Sequence, residues 1–346
     1  MGRTALILAV AVLGLGLAAQ AAETAAPSGD PYIGTYLGNY VATGREDTPV
    51  RGWVLAEGPG LYRLAIRFED DVQRYGIELH GQQAGPRVAF YGFSSSVWWD
   101  GEAKEGTLFI GRGEKGYGGS FQLEKVIQHS PTEGMAPPAG AVAVLAYEEG
   151  KKPDLGGWTN QEWRALKDGS MQVKPRSGSS VTTQAFGDMQ MHLEFNLPHM
   201  PNDHGQGRSN SGLYIHQRYE IQILDSFGVL PGSGDCGGIY QVAAPRVNAS
   251  LPPGQWQTYD IVFRAPRFDA NGAVTEPARL TLSHNGTIIH ENLALHKPTP
   301  GGIDDAGATK APFLLQDHNN DIRFRNIWVK EVDDAAGLMP PTGPLK

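Results

Sequence analysis

A period of two in hydrophobicity, repeated in segment after segment, is what most restricts how this chain can fold. In Met189–Phe195 the apolar Met189, Met191, Leu193 and Phe195 alternate with Gln190, His192 and Glu194. Tyr219–Leu224 sets Ile221 and Ile223 against Glu220 and Gln222, and Arg208–His216 sets Leu213 and Ile215 against Arg208, Asn210, Tyr214 and His216. Only an extended strand sends successive side chains to opposite faces, so each segment predicts a strand with one face in a core. Leu61–Phe68 repeats the pattern, with Arg63, Ala65 and Arg67 opposite Tyr62, Leu64, Ile66 and Phe68; Thr258–Phe263 and Arg279–Leu282 show it more weakly. No convincing helical period appears. With 45 glycines and 24 prolines in 346 residues to make turns, the chain is predicted to be all-β, many short strands joined by turns.

The strands fall into two groups. The first, with strands expected at Val50–Leu55, Tyr62–Phe68, Gly76–His80, Arg87–Tyr91, Gly106–Ile110 and Gly119–Leu123, predicts a small antiparallel β domain over 29–128. Ser130 to Gly140 then concentrates Pro and Gly without apolar periodicity, which predicts a stiff connection over 129–142. The second group, over 143–333, has several half-buried strands at short spacing and predicts two stacked sheets. Residues 334–346 carry too little apolar content to fold by themselves and are expected as a flexible tail.

Arg3, the apolar run Ala5–Ala18 and the small-residue pattern Ala19-Gln20-Ala21 have the order of a secretory signal, so residues 1–21 are expected to be removed on export to the periplasm or the outside. The run is shorter than the ~20 residues that cross a bilayer, so no membrane insertion is expected after cleavage. Cys236 is the only cysteine; an intramolecular disulfide is impossible, and the residue is expected as a small buried hydrophobe. A formal charge of −8 without any Lys/Arg run argues against nucleic acid or an anionic membrane surface as partner, and suits a neutral oligosaccharide or glycoside.

The outward strand positions are unusual. In place of the Thr, Lys and Ser of a solvated face they carry His192, Glu194, Arg208, Asn210, Tyr214, His216, Glu220 and Gln222, side chains that hydrogen-bond hydroxyls, stack on sugar rings and move protons. Glu220 and Asp225 lie five apart; a bulge near Leu224 would put the two carboxylates on one side, as glycosidic chemistry usually requires, whereas Asp225-Ser226-Phe227-Gly228 also opens a turn well. Gln316-Asp317-His318 gathers amide, carboxylate and imidazole where a strand leaves the core, a set able to orient a base or bind a divalent cation, or to make a plain exposed turn. Gly237-Gly238-Ile239-Tyr240 lets backbone approach a ligand or makes a turn. Arg323 and Arg325 are able to hold an oxyanion or to pair with acidic neighbours, of which pairing is the expectation, with Phe324 and Trp328 inward. No metal-binding spacing is present, so the metal is left unassigned and a divalent cation is the one cofactor candidate.

Arg208-Ser209-Asn210-Ser211-Gly212-Leu213-Tyr214, Tyr219–Ser226, Gly238-Ile239-Tyr240, Trp256-Gln257 with Tyr259-Asp260, Leu315–His318 and Arg323–Trp328, in this order, resemble the 3-keto-disaccharide hydrolase family over about Leu155–Glu331. Ala146-Tyr147-Glu148-Glu149-Gly150 departs from the Leu-Phe-Asp-Gly more usual there. The resemblance implies a concanavalin A-like jelly-roll β-sandwich with a sugar-binding groove, preceded in two-domain members by a small β domain. It also implies attack on glycosides oxidised to a ketone at carbon 3. That ketone acidifies the proton on carbon 2; a base takes it, the group on carbon 1 leaves by β-elimination, and water adds back. On that chemistry Glu220 or His318 is the expected base. Arg208, Tyr240 or a bound cation is expected at the enolate oxygen, and Asp225 or Asp317 as acid or cation ligand. His192, Glu194, Asn210, Tyr214, His216, Gln222 and Gln316 are expected to bind the sugar. The alternative is a lectin-like glycan-binding module without turnover. An ordinary glucanase ranks last, because Gln222 stands where such sandwiches carry Asp.

Overall fold

The computed structural model describes residues 29–68, 71–112, 119–303 and 307–346; the expected signal segment 1–21 lies outside them. Regular structure among these residues is antiparallel β apart from one 3₁₀ turn, Gly205–Gly207. None of the described helices is long and apolar enough to cross a membrane.

The first eight strands are Gly34–Val41, Thr48–Gly58, Leu61–Phe68, Asp71–Gln83, Val88–Ser94, Val97–Lys104, Thr107–Arg112 and Ser120–Val126. Each pairs with the next, and the first with the last, so the sheet closes into a barrel. The expected small β domain is thus a barrel with two strands, Gly34–Val41 and Val97–Lys104, that the periodicity did not reveal. Alternate residues fill it: Tyr36, Val54, Leu64, Ile66, Leu79, Phe90, Ile110 and Phe121 are all buried in one cluster. Closure brings backbone very near backbone at Gly38, where a Cβ would meet the Gln122 carbonyl oxygen at 2.0 Å.

The rest of the described chain forms two sheets around a second core. The large sheet runs in the order Arg164–Ala165, Met171–Gln172, Arg323–Glu331, Met189–Asn196, Trp256–Arg264, Ala278–His284, Thr287–Leu295, with Val142–Leu145 also paired to Arg323–Glu331. The small sheet runs Ser180–Val181, Leu314–Leu315, Ser211–Ile215, Tyr219–Ile223. Met191, Leu193 and Phe195 from one sheet and Leu213, Ile221 and Ile223 from the other share this core, as the alternation predicts. Truncating Phe195 or Phe263 there would cost about 3–5 kcal/mol through lost burial and the cavity left behind.

The alternation breaks at Asn326, whose positive φ of 48° accompanies a register shift between Ile327 and Trp328. Phe324 points inward as expected, but Trp328 is turned out of the core, stacks on His192 and donates from Nε1 to the Met135 carbonyl at 3.2 Å.

The Pro/Gly-rich connection is strapped across the outside of the large sheet. Ser130 Oγ and Thr258 Oγ1 lie 2.6 Å apart, Thr132 Oγ1 donates to Asp260 at 2.6 Å, and the Gly134 amide donates to Glu194 at 2.6 Å. The C-terminal tail is held too: His129 and Lys346 exchange two backbone hydrogen bonds, of 3.0 and 2.9 Å.

Candidate functional site

The hairpin Ser211–Ile215/Tyr219–Ile223 sets Tyr214 opposite Glu220 and Gly212 opposite Gln222, so these four share the outward face of the small sheet. Glu220 has room because residue 212 is glycine: a Cβ there would lie 2.4 Å from Glu220 Oε1. The Tyr214 hydroxyl hydrogen-bonds the Glu220 carboxylate and accepts from Gln316 Nε2 at 3.2 Å. Thr299 Oγ1 accepts from the Glu220 amide at 2.9 Å, and the Tyr240 amide donates to the Glu220 carbonyl at 3.1 Å.

Amides complete the face. Gln206, in the Gly205–Gly207 turn, accepts through Oε1 from Gln222 Nε2 at 2.9 Å and from Asn210 Nδ2 at 3.2 Å, and donates to the Gly234 carbonyl at 2.7 Å. Asn210 Oδ1 and Gln316 Oε1 are buried acceptors that receive no hydrogen bond. Buried acceptors of this kind are uncommon, and Gln316, whose amide nitrogen reaches the Tyr214 hydroxyl, keeps one free for a ligand bearing hydroxyls.

Burial pushes the Glu220 carboxyl up to about 7, only partly offset by the Tyr214 hydrogen bond. Burial and the adjacent Glu220 carboxylate raise the Tyr214 phenol as well, and Tyr240 adds to the effect. A carboxyl poised near neutrality beside a phenol that stays protonated is a competent base–donor pair.

The other expected site residues are placed elsewhere. His192 and Glu194 sit on the outward face of the large sheet; since both sheets' inward residues meet in one core, that face lies on the opposite side from Glu220. There His192 Nδ1 lies 2.6 Å from Asp260 Oδ1 and its Nε2 3.2 Å from Glu194 Oε1, while Arg325 Nε donates to Glu194 at 2.6 Å. Burial alone would lower the His192 pKa, but its hydrogen bonds to Asp260 and Glu194 raise it to about 9. Arg325 also reaches Glu133, and Arg323 pairs with Asp168 at 2.8 Å, so both arginines are engaged by acids as expected.

Two positive φ angles explain two further departures. At Ser209 (φ 53°) the regular strand has not yet begun, so Arg208 leaves the parity of Asn210 and Tyr214. It pairs instead with Asp225, Nε to Oδ2 at 3.2 Å, and donates to the Ala56 carbonyl of the barrel at 3.2 Å. The pair therefore sits at the junction of barrel and sandwich and is not aligned with Glu220 on the strand face. His216 (φ 54°) lies in the hairpin turn, and its Nε2 donates to the Phe186 carbonyl at 2.8 Å. Burial lowers its pKa to about 4, which keeps it neutral. Asp317 accepts from the amides of Gly178 and Asn319 at 3.0 and 2.8 Å and so shapes a turn, on which His318 is exposed.

The structure thus gathers Glu220, Tyr214, Gln222, Gln316, Asn210 and Tyr240 out of the expected set. It adds Gln206, Gly212 and Thr299, which alternation cannot flag because two lie in irregular segments and one has no side chain. Around Glu220 these donors offer a single carboxylate, and among the described residues no three of His, Cys, Asp or Glu are placed to hold a metal ion. That set is a poor match for a hard divalent cation, which favours several carboxylate oxygens.

The family described as the 3-keto-alpha-glucoside-1,2-lyase-like domain matches residues 146–330, more than half of the chain. A crystal structure of a candidate glycosyl hydrolase from Parabacteroides distasonis is similar, with 28% sequence identity and a TM-score of 0.51 over 59% of this chain and 90% of that one. A second such protein from the same organism aligns at 16% identity and a TM-score of 0.39, over 56% of this chain and 95% of that one. No curated protein matches the chain.

Proposed function

Because this chain belongs to the 3-keto-alpha-glucoside-1,2-lyase-like family, we propose that it cleaves the glycosidic bond of a sugar carrying a ketone at carbon 3, with Glu220 as the base. The observation that supports this most is the Glu220–Tyr214 pair: a buried carboxyl held near pH 7 next to a phenolic donor. Ordinary glycosidases need two carboxyl groups across the bond. Removal of an acidified C–H needs one base and donors for an oxyanion.

The ionised Glu220 carboxylate takes the proton from carbon 2. The C–H electron pair forms a carbon 2–carbon 3 double bond, and the ketone becomes an enolate. Amide donors from Gln222 or Gln316, or the Tyr240 hydroxyl, stabilise that oxygen. As the ketone re-forms, a carbon 1–carbon 2 double bond is made and the carbon 1–oxygen bond breaks. The departing alkoxide takes a proton, from Tyr214 or from the newly protonated Glu220. Water then adds across the double bond, hydroxyl to carbon 1 and proton to carbon 2, giving the free 3-keto sugar.

Gln206 is the part that gives way to substrate. Its Oε1 accepts from Gln222 Nε2 and Asn210 Nδ2, and it stands on an exposed turn, so ligand hydroxyls replace it at small cost. The finer fold assignment, a concanavalin A-like jelly roll over 143–333 behind an accessory β domain at 29–128, and export to the periplasm or the outside after loss of residues 1–21, belong to the same proposal. Incubation with a 3-keto glycoside in deuterium oxide tests the base directly: deuterium enters carbon 2 with the unaltered protein and not with Glu220→Gln. Equal exchange in both proteins would remove Glu220 from the role.

A further inference from the structure

We propose that the cavity between barrel and sandwich is a second sugar-binding subsite, built for a neutral oligosaccharide. It has a volume of ≈ 490 Å³, within the range of about 300–1,000 Å³ usual for ligand pockets, and both halves of the chain line it.

The barrel contributes one ordered face. Trp53 pairs in register with Ala65, and Ala65 with Glu78, so an indole, a methyl and a carboxylate lie in a row across three strands. Arg63 and Arg67 stand two residues to either side of Ala65 on the same face. The sandwich supplies Arg246 and the exposed Leu230 from across the cavity.

Charge decides the class of ligand. Arg63 is bound by Glu57 at 3.1 Å, Arg67 by Glu78, and Arg246 by Glu291 at 3.3 Å. Each guanidinium is matched by a carboxylate, so an anion would have to displace one. A neutral polyol does not: one hydroxyl accepts from an arginine and donates to Glu78, while the apolar face of a pyranose packs on Trp53 and Leu230. The choice of a glycan rests on the function proposed above.

The subsite is also connected to the Glu220 face. Val229, Leu230 and Pro231 line the cavity, and three residues later the Gly234 carbonyl receives hydrogen bonds from Gln206 and Gln222. Sugar bound at the junction therefore contacts the same loop whose Gly234 carbonyl holds the Gln206 and Gln222 amides.

Isothermal titration calorimetry of the full chain with maltotetraose and with cellotetraose tests the proposal, using the unaltered protein, Trp53→Ala, Arg246→Ala and Glu220→Gln. Saturable binding of one tetraose is expected in the unaltered protein and in Glu220→Gln, weakened at least tenfold in Trp53→Ala and in Arg246→Ala. Arg246 is more than half exposed, so its loss does not threaten the fold if Trp53→Ala proves unstable. No binding of either tetraose, or binding that survives Arg246→Ala and falls only with Glu220→Gln, would overturn the subsite. Cleavage of a 3-keto disaccharide, assayed on the same preparations, reports separately on the catalytic proposal.

Discussion

Glu220 lays its carboxylate in the space that a side chain on Gly212 would fill: a Cβ on Gly212 would stand 2.4 Å from Oε1. The two residues belong to neighbouring strands of one hairpin, two register pairs apart, since Gly212 faces Gln222 and Glu220 faces Tyr214. The missing side chain lets the acid lie flat on the sheet within reach of the Tyr214 hydroxyl.

Gly212→Ala is therefore expected to push the carboxylate off Tyr214. Overpacking of this kind costs about 1–3 kcal/mol, which a core of this size tolerates. Circular dichroism should be unchanged while turnover of a 3-keto glycoside falls at least tenfold; turnover at the original rate would mean that Glu220 need not lie where it does.

The proposed role of Glu220 predicts a pH profile. With its pKa raised to about 7 by burial, the basic form is lost below that pH, so kcat/KM should fall about tenfold per unit on the acid side and level off above. Stability runs the other way. A carboxyl raised above its ordinary 4.5 contributes fully below that value, and the contribution is lost as pH rises through about 7. The loss is on the order of 3 kcal/mol. Urea denaturation at pH 4.5 and pH 8 should show this drop in the unaltered protein and a smaller one in Glu220→Gln.

His192 is predicted to hold the molecule together without touching the chemistry. Its pKa, raised from 6.5 to about 9 by Asp260 and Glu194 against the opposing effect of burial, means stability that is complete below pH 6.5 and lost as pH rises through about 9. His192→Asn leaves buried Asp260 without its cation, while Arg325 still pairs with Glu194, and should cost about 3–5 kcal/mol near pH 7. The deficit should shrink toward pH 10. KM for a keto sugar should not change in the folded fraction; a large rise in KM would return His192 to the binding site.

Cys236 is fully enclosed, and burial raises its thiol to about 11 despite a contact with the Tyr259 hydroxyl at 3.1 Å. Since the thiolate is the reactive form, a thiol reagent at pH 8 should leave native protein unlabelled and label it quickly in denaturant. Prompt labelling of native protein would show that the core around Tyr259 opens.

Much of the fold was legible in the alternation of residues. Met189 to Phe195, Leu213 to Ile215 and Ile221 to Ile223 point where a period of two puts them, because a buried face tolerates no slip of one residue. Closure of the barrel was not legible, since it depends on Gly34–Val41 meeting Ser120–Val126 far along the chain. Nor was the interruption of parity at Ser209, His216 and Asn326, where left-handed backbone turns the next side chain to another face. For the site, periodicity told inward from outward but not which outer side. His192 and Glu220 read alike in sequence and stand on opposite sides of the sandwich. The grouping of Glu220 with Tyr214, Gln222 and Gln316 was recoverable because neighbouring strands in one sheet share a face.

The most direct test incubates the full chain with a 3-keto disaccharide and with its unoxidised parent, beside Glu220→Gln, and follows products by mass spectrometry. Cleavage of the keto sugar alone, lost in Glu220→Gln, is the predicted result. Cleavage of the parent at a comparable rate, or of the keto sugar by Glu220→Gln at full rate, would contradict it.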